Sequence, residues 1–128
     1  MKISCGTDII EIDRIRESIE KLGQNFLDKL YTENEIEYCE NKGRMKFQHY
    51  AGRFAAKEAI FKAISGIIED EMSLDFTDAE IINNEKRKPT VKFLKNIEKL
   101  ENIIDLDISI SHCKNYAVST VVVMYEDI

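Results

Sequence analysis

The stretch that most constrains the fold is "AGRFAAKEAIFKAI", residues 51 to 64. It lies in a segment, roughly Lys46 to Ser65, that reads as one long helix, with Gly66 placed to end it. Alanine at 51, 55, 56, 59 and 63 keeps the helix surface low, so that other backbone or a ligand can approach closely. At about 100° per residue, Glu58 falls between Phe54 and Phe61, so its carboxylate faces apolar packing. An unpaired carboxylate there costs several kcal/mol and needs a cation. An i, i+4 pair with Lys62 would supply one, at about 0.3 to 0.5 kcal/mol, and such pairs are common. Arg53, Lys57 and Lys62 also place three cations on three turns of the same helix, a set suited to a phosphate with a metal beside it. Spacing alone leaves both readings open.

The N-terminus adds a second carboxylate. Residues 2 to 10 alternate Ile3, Cys5, Thr7 and Ile9 against Ser4, Gly6, Asp8 and Ile10, the period of a strand. Asp8 therefore points to the face opposite Ile3 and Ile9, with Gly6 making room beside it. Mg²⁺ is typically held by one or two protein carboxylates together with substrate phosphate oxygens and water, and Asp8 with Glu58 would make such a pair. From Ile12 the period changes: Ile12, Ile15, Ile19, Leu22, Phe26 and Leu30 recur at helical spacing, with a break or bend at Gly23. "TENE", residues 32 to 35, is a capping-box signature for a further helix running to about Asn41.

The second half is richer in strand. "DFTDAEII" and "PTVKF" flank the polar "NNEKRK" as a hairpin with a long turn. "LKNIEKLENI" reads as a short helix, and "LDISISH" with "YAVSTVVVMY" forms a second hairpin around "CKN". The order β, α, α, α, β, β, α, β, β implies an α+β fold, a largely antiparallel sheet packed with long helices. At 128 residues the expectation is a single domain, 1–128, burying on the order of two thirds of its unfolded surface.

Other classes are disfavoured. A net charge of -6 argues against sequence-independent nucleic-acid binding, which needs clustered cations. No apolar run approaches the roughly 20 residues needed to span a bilayer, and the N-terminus lacks a secretory pattern, so the expected location is cytoplasmic. Cys5, Cys39 and Cys113 are odd in number and widely spaced, which reads as reduced, mostly buried thiols. No Gly-rich phosphate loop is present, so phosphate binding would rest on side chains and a metal. His112 ends a strand beside Ser109 and Ser111 and has no acid spaced for a triad; it is either structural or a phosphate or substrate contact. Arg14, Ser18, Lys21, Asn25 and Lys29 form a face without an acid. It is either a solvated face paired with Glu17 and Asp28 or a dock for an acidic partner.

Three segments, "GTDIIEIDRI", "AGRFAAKEAIFKA" and "ISISHCKNYA", in this order and at these spacings, resemble the signatures of the bacterial holo-acyl-carrier-protein synthases, the small 4'-phosphopantetheinyl transferases. The similarity extends over essentially the whole chain. It implies the 4'-phosphopantetheinyl transferase-like fold and a reaction of fatty acid biosynthesis. In that reaction a serine hydroxyl of acyl carrier protein attacks the β-phosphate of coenzyme A, takes up the phosphopantetheine arm and releases 3',5'-ADP. Asp8 and Glu58 match the family's Mg²⁺ carboxylates, with a carboxylate or a metal-associated water near Asp8 taking the serine proton. Lys62 matches a lysine near the pyrophosphate. Arg53 and His112 match positions near the nucleotide, and Lys57, which precedes the metal glutamate as in the family, is expected with them and Lys62 among the coenzyme A contacts. The face with Arg14, Lys21 and Lys29 corresponds to the helix that docks the acidic carrier.

The family is typically a homotrimer with active sites between subunits. That arrangement would bring Arg44 in "KGRMK" and Pro89 in "KRKP" of one chain to the nucleotide held by another. The chain departs from the pattern in "SGIIEDE", where relatives often have a Gly-rich turn, and in Asn25, where a cation is common. Two other classes fit the same residues: a Mg²⁺-dependent phosphohydrolase using the two carboxylates on water, and a non-catalytic module that binds acidic proteins through the first helix.

Overall fold

Gly6 decides how the chain packs. A Cβ there would lie 2.1 Å from the carbonyl oxygen of Ala59 and 2.8 Å from the amide nitrogen of Ala63, so the first strand can rest directly on the long helix only because position 6 carries no side chain. The computed structural model describes residues 1–68 and 74–127. Strand β1 (Lys2–Glu11) leads into α1 (Ile12–Leu22), α2 (Gln24–Leu30), α3 (Glu33–Glu40) and the long α4 (Lys46–Ile64). Strands β2 (Ala79–Asn83), β3 (Pro89–Phe93), β4 (Ile103–His112) and β5 (Tyr116–Tyr125) follow.

The strands form two antiparallel sheets, β1-β5-β4 and β2-β3, rather than the one expected from sequence. In the larger sheet Gly6 pairs with Val121 and Asp8 with Ser119. The inward face of β1 carries Ser4, Gly6, Asp8 and Ile10, whereas Ile3 and Ile9 are exposed. Polar-in and apolar-out reverses the usual strand pattern, because the partner inside is an alanine-lined helix whose backbone the strand must touch.

Helix α4 is buried along most of its length and joins two cores. Its C-terminal half packs Ala59, Ile60, Ala63 and Ile64 against Ile81, Ile108, Val121 and Val123 of the sheets. Its N-terminal half packs Tyr50 and Ala51 against Ile12, Ile15, Leu27, Tyr31 and Cys39 from α1 to α3. The break at Gly23 is real: its φ of 63° splits the first helical segment, and its N–H still bonds to Ile19 O. The break also carries Leu22 out to solvent at 54% exposure, against the helical periodicity. The capping box forms, with Thr32 Oγ1 accepting from Glu35 N and Glu35 reaching back to Thr32 N.

Several boundaries differ from expectation. Phe76–Asp78 is a 3₁₀ turn, so the strand begins only at Ala79. "LKNIEKLENI" condenses to a 3₁₀ turn, Glu98–Asn102. Gly66 follows the helix without adopting a left-handed conformation. Of the three cysteines only Cys39 is buried; Cys5 and Cys113 are exposed, because one lies on the outer strand face and the other in the β4–β5 turn. The acidic end of "SGIIEDE" lies outside the described residues.

Candidate active site

β1 runs along α4 in the opposite sense, so each step forward on the strand meets an earlier turn of the helix. Ser4 donates to Ala63 O, Gly6 crosses between Ala59 and Ala63, and Asp8 arrives beside Lys62 and Glu58. Lys62 Nζ donates to Asp8 Oδ1 at 3.2 Å and to Thr7 O at 2.9 Å. The i, i+4 pair with Glu58 does not form; the lysine turns to the strand instead. Among the described residues no hydrogen bond or ion pair reaches Glu58. Burial first, and the Asp8 charge second, hold its carboxyl above the ordinary glutamate value, with Lys62 opposing them.

Glu58 and Lys62 open onto a cavity of about 830 Å³. Its floor is apolar, made by Phe61, Ile64, Ile68, Leu74 and Phe76, with the Phe61 and Phe76 rings 5.1 Å apart. Asp28 and Lys29 of α2 stand on its rim. Lys29, expected on the docking face, thus also borders the cavity.

A second cluster gathers at the N-terminal end of α4. The exposed His112 ring at the end of β4 meets His49 edge-on at 5.9 Å, and His49 meets Tyr38 at 5.5 Å. The Arg53 guanidinium lies 3.9 Å from the Tyr38 ring centre, and Lys42 approaches the same ring at 4.6 Å. Arg53 donates to Asn83 Oδ1, while its buried Nε has no partner among the described residues. Only 4% of this side chain is exposed. Burial, with Lys42, Arg53 and His112, pushes the His49 imidazole down to about 4, so it is neutral at pH 7. Pro89 pairs with Asn83 in the β2–β3 ladder, and Arg44 stands exposed in the turn before α4. Nine residues separate His49 from Glu58, about 13 Å along the axis and half a turn round it. The carboxylate pair and this cluster therefore face opposite sides of α4.

The three cations of α4 that the sequence suits to a phosphate part company. Lys62 joins Asp8, and Arg53 stacks on Tyr38. Lys57, expected among the coenzyme A contacts, is instead fully buried, bonded to Glu35 Oε1 at 2.6 Å and to two backbone carbonyls. With its donors engaged in the interior, it has none to offer a nucleotide. On the first helices, Arg14, Lys21 and Lys29 are exposed, and no ion pair to Glu17 or Asp28 forms. Arg16, by contrast, is paired with Asp13 and Glu20. Tyr38, His49 and Asn83 carry no signal in the sequence, and Glu35 shows there only as the last residue of the capping box; tertiary packing alone brings them to these clusters.

Comparison with known proteins matches this arrangement to one family. The family model "4'-phosphopantetheinyl transferase superfamily" matches residues 4–121. The chain belongs to that superfamily. Within it, the relatives place the chain among the holo-[acyl-carrier-protein] synthases, and it is an enzyme of that kind. The holo-[acyl-carrier-protein] synthase of Ruminiclostridium cellulolyticum is 40% identical over 130 residues, covering 99% of this chain and 96% of the relative. That of Protochlamydia amoebophila is 44% identical over 117 residues, covering 91% and 93%. Among solved structures, the Helicobacter pylori holo-[acyl-carrier-protein] synthase in complex with coenzyme A superposes with a TM-score of 0.79 at 34% identity, covering 94% of this chain and 99% of that one. The Bacillus anthracis enzyme in complex with CoA (3',5'-ADP) gives 0.76 at 35%, covering 96% of each.

Proposed function

We propose that this chain, acting as one domain, transfers the 4'-phosphopantetheine arm of coenzyme A to a serine hydroxyl of apo acyl carrier protein, with Mg²⁺ and with release of 3',5'-ADP. The observation that carries the reading is the meeting of Asp8, Glu58 and Lys62 at the mouth of a cavity with an apolar floor. Two carboxylates, with no third acid, histidine or cysteine gathered round them among the described residues, fit Mg²⁺, which takes its other ligands from phosphate and water. They do not fit zinc, which favours a fuller set of nitrogen and sulfur ligands.

In this reading the apolar floor receives the pantetheine arm, and the pyrophosphate lies at Glu58 and Lys62. The serine oxygen forms a bond to the β-phosphorus as the bond from that phosphorus to the bridging oxygen breaks, and 3',5'-ADP leaves. The serine proton passes to a carboxylate of the pair or to water beside Asp8. Lys62, freed by 53% exposure to swing from Asp8, steadies negative charge on the departing phosphate. Mg²⁺ bound at the carboxylates would neutralise charge developing on the pyrophosphate oxygens.

Arg14 and Lys21, exposed and without ion pairs among the described residues, suit the acidic carrier. A homotrimer is supported by the outer face of the β1-β5-β4 sheet, where Ile3, Ile9, Tyr116, Val118 and Val122 are exposed together. It is also supported by the opposite facing of the two clusters on α4. Assembly would let Arg44, Arg53, Pro89 and His112 of one protomer hold the nucleotide whose pyrophosphate meets Asp8 and Glu58 of the next.

The test is intact mass of apo acyl carrier protein after incubation with enzyme, Mg²⁺ and coenzyme A. The expected result is a gain equal to the phosphopantetheine arm, abolished in D8N and E58Q. Release of 3',5'-ADP without carrier, or full transfer by both variants, would refute the assignment.

A further inference from the structure

The interior holds a charged group that touches neither substrate nor carrier in the reading above, yet adjoins three of the segments that line the cavity. Lys57 Nζ donates to Glu35 Oε1 at 2.6 Å, Leu30 O at 2.7 Å and Phe76 O at 2.9 Å, so all three of its hydrogens are used. Glu35 accepts in turn from Thr32 N and Ile81 N. Burial pushes the Lys57 ammonium down and Glu35 pushes it back up, with Glu80 adding negative charge nearby.

The identity of the three acceptors matters more than the ion pair. Leu30 O lies at the open carbonyl end of α2, immediately after Asp28 and Lys29 on the cavity rim. Phe76 is itself part of the cavity floor, and its carbonyl points back to the lysine. Lys57 precedes Glu58 on α4. A buried ion pair alone would need only Glu35. Here one ammonium ties together α2, the 74–78 segment and α4, three of the parts that line the cavity among the described residues.

We propose that Lys57 is a positioning residue, an internal clip that sets the spacing of the cavity walls and so the place of the arm relative to Glu58. The wall-ordering part stands on the geometry alone; the effect on rate rests on the transfer reading. A misplacement of about 1 Å is enough to cost on the order of 10²-fold in rate.

The experiment uses the full chain as K57M/E35Q, which removes the ammonium without leaving Glu35 as an unpaired buried carboxylate, and as K57Q/E35Q, which keeps a neutral donor. Amide exchange over residues 24–31 and 74–78 should speed up at least tenfold, with β1 and β5 unchanged. The kcat for transfer to apo acyl carrier protein should fall 10- to 100-fold, while KM for coenzyme A stays within threefold. K57Q/E35Q should recover part of the rate. Unchanged exchange with parental kcat would overturn the proposal. So would exchange that rises uniformly across the chain, or failure of both variants to fold, since the clip would then serve the whole fold rather than the cavity. If the parent enzyme itself transfers no arm, the transfer reading fails and the exchange pattern still decides the clip.

Discussion

Replacing Gly6 with Ala is a severe test of how this site is built. The added Cβ would stand 2.1 Å from Ala59 O, 2.8 Å from Ala63 N and 3.0 Å from Lys62 Cβ. The nearest approach is at least about 0.9 Å inside contact, and two of the three atoms are backbone of a buried helix that cannot step aside. β1 must therefore lift off α4 by about that distance, although it is held to β5 along its whole length. Overpacking of this kind costs typically 1 to 3 kcal/mol, and the backbone contacts place this case at about 3 or above. For a chain of this size that lowers Tm by roughly 10 °C, measured at one protein concentration because association shifts apparent stability. Asp8, two residues along the same face, moves with the strand. Separation of the carboxylates by about 1 Å should lower transfer on the order of 10²-fold even in the folded fraction at 20 °C. The assays are urea or thermal unfolding and the carrier mass shift. A G6A protein with parental Tm and parental rate would show that β1 does not lie on α4 as described.

Glu58→Gln should separate stability from activity. Its carboxyl is held above the ordinary value of 4.5, so its protonated form favours the folded state below that pH, and the benefit is lost as pH rises through the raised value. The variant should therefore be the more stable protein at neutral pH, by on the order of 1 kcal/mol or less for a half-exposed group, and no more stable than the parent at pH 4. Unfolding midpoints across pH 4 to 8 check this, alongside loss of transfer. Reversal of the proposed carrier face in R14E/K21E should raise KM for apo carrier about tenfold at low salt and less at high salt, with KM for coenzyme A unchanged. Placing lysines on the outer sheet face in V118K/V122K should convert the proposed trimer to monomer in sedimentation and lower transfer with it.

Much of the site was legible because each piece rests on a local rule. The period of two in residues 2 to 10 puts Asp8 and Gly6 on one face and Ile3 and Ile9 on the other, and the structure keeps that division. It does not say which face is inside. Ordinary hydrophobic reasoning would bury the isoleucines, whereas the alanines of α4 admit a strand with glycine in contact and leave the isoleucines outside. The capping box at Thr32 and the break at Gly23 were legible for the same reason, since both depend on residues within a few positions.

The cations of α4 mark where local reading ends. Arg53, Lys57 and Lys62 look alike along the helix, yet one stacks on Tyr38, one is sealed in the interior and one crosses to the strand. Their fates are set by Tyr38, Glu35 and Asp8, which are 15, 22 and 54 residues away. His49 and Asn83 were missed likewise, because nothing near them in the chain indicates that β4 ends beside His49 or that Asn83, at the end of β2, meets Arg53.

Local patterns along the chain are enough for the main elements and the residue types each presents: an alanine-lined helix with Glu58 and Lys62, a strand with Gly6 and Asp8 on one face, and a first helix with exposed cations. The tertiary structure alone decided which of these meet. Contacts between residues far apart in the chain depend on how closely two backbones can approach, and here the space left empty at Gly6 sets that distance.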